Sequence, residues 1–206
     1  MATRLYLPAS SAAPVVSPAY ETGLYSNPDT SIASRVRTSI GKSDGVLTTV
    51  EFRGNPDPVN GRSILFRQWV SPELTAGQSV LGGQSGSQLM KTQVRCREYS
   101  AAADIQEDFL ITIHDGTTRK RIINYGIGSL ELDATALVNR MSAAAASTDG
   151  MPYTTVAGDR IVVELWLLVG PLNVDPDCDV RLGDPQASSD LPENDTATTD
   201  DAPWVQ

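Results

Sequence analysis

Few side chains in this sequence are suited to chemistry. The single histidine, His114, stands beside Asp115. A Ser–His–Asp site would need a nucleophile and an orienting acid around that ring. The chain has no Gly-x-Ser-x-Gly elbow, so His114 reads as a surface residue at a turn. Cys96 and Cys178 form neither a CxxC pair nor a zinc spacing. Cys96 falls in a strand pattern and reads as a buried free thiol. A Cys96–Cys178 disulfide would require the fold to bring the two together. Asp175, Asp177 and Asp179 alternate as carboxylates do in calcium loops. An EF-hand would then need Gly and Glu where Val180 and Gln186 stand, so only a non-EF calcium loop stays open there. The glycine-rich run 82–86 lacks the Lys-Ser/Thr of a phosphate loop and reads as a hairpin tip. Paired carboxylates could hydrolyse glycosides, but no spacing selects a pair. The reading is a non-enzyme without a cofactor.

The elements that must carry these residues are strands. Val46, Val50 and Phe52 alternate on one face. In 62–70, Ile64, Phe66 and Val70 share one face, and Leu65, Arg67 and Trp69 the other. Thr92, Val94 and Cys96 face one way, while Lys91, Arg95 and Arg97 form an outer basic row. That row could meet carbohydrate, nucleic acid or an acidic protein, and a solvated face is the simpler reading. Residues 109–114, the turn Asp115-Gly116 and 121–125 make a hairpin signal. Residues 161–169 are apolar except for Glu164 and predict a central strand, entered through a turn at 157–160. Residues 134–146 are the best helical candidate by propensity, diluted by Thr135, Asn139 and Ser142. No βαβ alternation and no internal repeat occurs. The expectation is all-β: an antiparallel β-sandwich with strands near 46–52, 62–70, 89–97, 108–114, 120–125 and 160–169.

Around the domain at 46–183, composition predicts a proline-rich extended arm at 1–45 and an acidic extended tail at 184–206. Tyr6, Tyr20 and Tyr25 in the arm and Trp204 in the tail are candidate anchors on a partner. Trp166 and Leu168 are candidates for a subunit contact or for the second face of a closed core, because a one-sided strand needs no such apolarity. Residues 1–30 and 184–206 are expected to be ordered mainly by other chains, since extended segments rarely offset about 1–2 kcal/mol of backbone entropy per residue alone. A net charge of −9 argues against a sequence-independent grip on DNA or anionic lipid. No run is apolar enough to span a membrane, and the opening lacks the apolar stretch of a signal peptide.

Several ordered segments resemble a family of structural proteins of similar length encoded by tailed bacteriophages. They are the opening residues 1–8 with Pro14 and Pro18, then 67–71, 74–78, Arg95 with Glu98 and 101–103, 157–164, Gly183-Asp184, 190–194 and Pro203-Trp204. The resemblance implies a jelly-roll component of the virion, made in the host cytoplasm and without known chemistry. This sequence departs from the family in a more apolar strand at 161–169. The expected role is capsid decoration, with the major capsid protein and copies of itself as partners. The alternative is a tail, baseplate or fibre-associated protein, with host surface carbohydrate as a possible ligand. Neither nucleic acid nor membrane is an expected partner.

Overall fold

The computed structural model describes residues 4–9, 13–30, 37–39, 48–52, 61–80, 90–127, 131–132, 136–144, 152–170, 177–183, 190–193 and 202–206. The elements in chain order are β1 (Leu5–Tyr6), a single 3-10 turn (Thr22–Leu24), β2 (Pro28–Asp29), β3 (Arg37–Ser39), β4 (Thr48–Phe52), β5 (Arg62–Val70) and β6 (Ser79–Val80). There follow β7 (Met90–Glu98), β8 (Gln106–His114), β9 (Arg119–Ile127), β10 (Val138–Ala144), β11 (Tyr153–Thr154), β12 (Arg160–Val169), β13 (Cys178–Leu182) and β14 (Trp204–Val205). No α-helix occurs among the described residues.

The strands form two main sheets, with β6 and β11 as a separate pair. In the first, β10 pairs with β7, β7 with β13, and β13 with β4, all antiparallel. Beside β13, β14 shares the same edge of β7, and β1 extends it. In the second, β9, β8, β12 and β5 follow one another antiparallel. The short β2 and β3 run parallel along the outer edge of β5.

The inner faces carry the apolar alternation. Val94, Cys96, Val180 and Leu182 from the first sheet meet Phe109, Ile111, Ile113, Val163, Leu165 and Leu167 from the second. Each fully buried aliphatic or aromatic side chain contributes about 1.5–3 kcal/mol of transfer free energy. On β12 the odd positions enter this core, whereas Trp166 joins Leu65, Leu110 and Tyr25 in a second cluster. The two-sided apolarity of 161–169 thus serves two packed layers.

Three expectations need correction. Trp69 belongs to the main core with Ile64 and Phe66, not with Leu65. The register slips where Leu165 pairs with Arg67 but Trp166 pairs with Leu65. Phe66 is the extra residue of a β-bulge, and the bulge reverses the alternation after it. Residues 138–144 are strand β10, not helix. Every residue there pairs with β7, from Val138 opposite Cys96 to Ala144 opposite Met90, and tertiary pairing overrides alanine propensity. His114 is buried rather than exposed, with 1 % of its surface accessible. The β8–β9 hairpin was read correctly: Asp115 Oδ1 accepts the Thr117 and Thr118 amides, and Gly116 supplies a φ of 99°. What buries the histidine is the strap of residues 13–30, whose Val16 lies against Gly116.

Candidate functional site

The strap crosses the outer face of the second sheet. Prolines keep it extended, and one 3-10 turn at 22–24 swings Tyr25 onto the sheet. The Tyr25 ring stacks on Trp166 with centroids 4.2 Å apart and an interplanar angle of 23°. Tyr20, Leu24 and Leu168 pack around this pair, half buried. Beneath lies Glu164, the only acid in the central strand. Its Oε1 accepts from Gln68 Nε2 at 2.7 Å, and its Oε2 accepts from Trp166 Nε1 at 2.8 Å. The backbone N–H of Glu21 reaches Oε2 at 3.4 Å, joining strap to sheet. Burial pushes the Glu164 carboxyl above its ordinary range, and these donors only partly offset that.

Glu21 fastens the other side of the strap. It accepts from Arg119 Nη1 at 2.5 Å and lies 3.4 Å from His114 Nε2. Burial alone would raise its pKa. The His114 ring and the Arg119 guanidinium outweigh that and hold the carboxyl below its ordinary value.

A clasp extends the first sheet at the edge of β7. β14 pairs with β7 and β1 pairs with β14, so Tyr6 lies opposite Trp204. Trp204 is fully buried and donates from Nε1 to the Leu191 carbonyl at 2.8 Å. Arg4 stacks over its ring at 4.0 Å. The same guanidinium donates to Asp190 at 2.7 Å, to Gln206 at 2.9 Å and to Glu193 at 3.3 Å. Tyr6 OH donates to Asp190 at 3.1 Å, and Lys91 Nζ reaches Glu193 at 2.6 Å. Arg67 Nη1 and Trp69 Nε1 hold the carbonyls of Ala9 and Pro8, tying the start of the arm to β5.

The structure therefore places the six anchor candidates within the chain. Tyr25, Trp166 and Trp204 are buried in intrachain layers, and Tyr6, Tyr20 and Leu168 line them. Trp166 falls on the second face of a closed core, one of the two places expected for it. Residues 1–30 and 184–206 are expected to be ordered mainly by other chains, and their described parts also have support within the chain. Their backbone and aromatic contacts run to β5, β7 and β12 of the same chain. The basic row is likewise engaged internally: Arg95 Nε donates to the Leu137 carbonyl, and Arg97 holds Asp179 at 2.8 Å.

Asp179 of the calcium candidate accepts from Arg97 and also from Tyr99 OH at 2.9 Å, while Asp175 and the glycine run 82–86 lie outside the described residues. No group of three or more metal-type ligands occurs among the described residues. Cys96 and Cys178 are free and buried, and burial pushes the Cys178 thiol far up, so it stays protonated. Sequence reasoning missed Arg4 and Glu21. Glu164 was visible as the lone charge in an apolar run, a signal of a buried acid needing partners.

No family model, curated protein or solved structure matches the chain.

Proposed function

We propose that the chain is a jelly-roll structural protein of a tailed-bacteriophage particle, acting without catalysis as a capsid decoration protein. The observation that carries the fold is the pairing of the eight longer strands. Taken in chain order, β4 pairs with β13, β5 with β12, β7 with β10, and β8 with β9. First pairs with last and the rest nest inside, as in a long hairpin rolled up. The contacts of β13 with β7 and of β12 with β8 then join these pairs into two sheets, an arrangement that supports the jelly-roll reading. Jelly rolls recur in viral shell proteins. Fold alone does not give function. The step to a phage particle rests on the ordered sequence resemblance.

Strap and clasp support a decoration role. The strap packs on part of the outer face of the second sheet and the clasp extends the edge of the first, so both extensions are anchored on the chain's own body, which can then add to a shell by its surface. The net charge of −9 favours a basic or polar acceptor, such as the major capsid protein, over nucleic acid. Antibodies raised against the folded chain test the location. Under this reading they label purified particles over the whole shell. Label confined to the tail, or no label on intact particles, contradicts it.

A further inference from the structure

The strap covers the outer face of the second sheet only as far as the Trp166 row. In the next row on that face, Leu168 of β12 stands between Ser63 of β5 and Gln106 of β8. This row forms the floor of an open basin of about 580 Å³. Ser26 of the strap walls one side, and Asp104 of the β7–β8 connection walls the other.

Two features indicate that the basin is held in shape. The described chain has two non-glycine residues with positive φ, Asn27 and Asp104, both at 46°. One adjoins Ser26 and the other lines the opposite wall, so both costly backbone conformations flank this basin. Each has a hydrogen bond at or beside it. Asn27 Nδ2 donates to the Gly61 carbonyl at 3.3 Å, and Glu98 Oε2 accepts the Ile105 amide at 2.9 Å. Gly61 has no room for a side chain, since a Cβ there would lie 2.9 Å from the Val169 carbonyl oxygen.

The chemistry of the lining selects a ligand class. Ser26, Ser63, Asp104 and Gln106 each present a polar side chain with no hydrogen-bond partner among the described residues. Hydroxyl, carboxylate and amide together offer donors and acceptors in alternation. Arg62, which also lines the basin, is already engaged by Asp29 at 3.5 Å. A single carboxylate is too little for a cation cage, and an anion would meet Asp104 with the one guanidinium already paired. Leu168 gives a small aliphatic floor, too little for an apolar ligand. Sugar hydroxyls are both donors and acceptors, and the C–H face of a pyranose fits one aliphatic side chain.

We propose that this basin is a saccharide-binding site, with Asp104, Gln106 and Ser63 reading the hydroxyls of a neutral sugar. It is independent of where a particle would carry the protein. The test is a titration of the isotopically labelled full chain with neutral mono- and disaccharides, with inorganic phosphate and methylammonium as contrasting probes. An open, shallow site predicts saturable amide shifts at Ser63, Asp104 and Gln106, with Kd on the order of 1 mM for at least one sugar. Asp104→Asn with Gln106→Ala should weaken binding about tenfold or more and leave the thermal midpoint unchanged. Asp104→Asn alone should produce part of that loss. No saturable response to any sugar would overturn the proposal. So would undiminished binding in the double variant, or a response only to phosphate or methylammonium.

Discussion

Trp166 and Glu164 show how one strand holds two unlike demands. Trp166 buries its ring under Tyr25 and donates its N–H to Glu164. Trp166→Ala should cost about 3–5 kcal/mol in denaturant unfolding, through lost burial and a cavity beneath the strap. A loss under about 1 kcal/mol would mean that the strap does not pack there. Glu164 and Glu21 give opposite pH signatures. Burial raises the folded-state pKa of Glu164 above its ordinary 4.5. Its stabilising contribution is therefore full below that value and lost as pH rises through the folded pKa. Glu21 is lowered from 4.5, so its contribution is present above that value and lost as pH falls through the folded pKa. Glu164→Gln should flatten the loss of stability as pH rises from 4.5 through the folded pKa, with Gln68 turning its amide to accept from the new donor. Glu21→Gln should remove part of the acid-side loss. Denaturation midpoints measured across pH check both. Three identical profiles would contradict the assigned environments.

At the scale of elements, the long strands were readable because each alternates over enough residues to declare a buried face. β5, β7, β8, β9 and β12 all lie where the pattern put them. β10 was hidden by alanines, whose helical preference is outvoted by seven pairings with β7. The bulge at Phe66 was invisible because nothing in the local sequence marks an unpaired residue; the mismatch exists only against β12. The burial of His114 was hidden for a similar reason, since its cover comes from Glu21, far away in the chain. β1, β2 and β14 are two residues each, too short for any periodicity. Composition revealed an extended, aromatic-bearing arm but not the face it covers. The intrachain anchoring has a direct consequence. In the isolated protein, peptide bonds within 13–30 and 202–206 should resist proteolysis as the core strands do. Rapid trimming of both segments would return them to a partner-ordered role. Arg4→Ala removes three hydrogen bonds and the stack on Trp204. It should cost about 1–2 kcal/mol, since the contacts are partly exposed, and it should make the clasp the first region to exchange amide hydrogens.

At the scale of the molecule, the chain is a sandwich wearing its own extensions. The strap packs on part of one outer face and the clasp extends the edge of the other sheet, while the basin at Leu168 stays open. The central claim is that this chain decorates a capsid. Gel electrophoresis of purified virions, with band intensities normalised to the major capsid protein, tests it most directly. The account predicts a molar ratio of the same order as that of the capsid protein itself. A ratio corresponding to a handful of copies per particle, or no band at all, would contradict it.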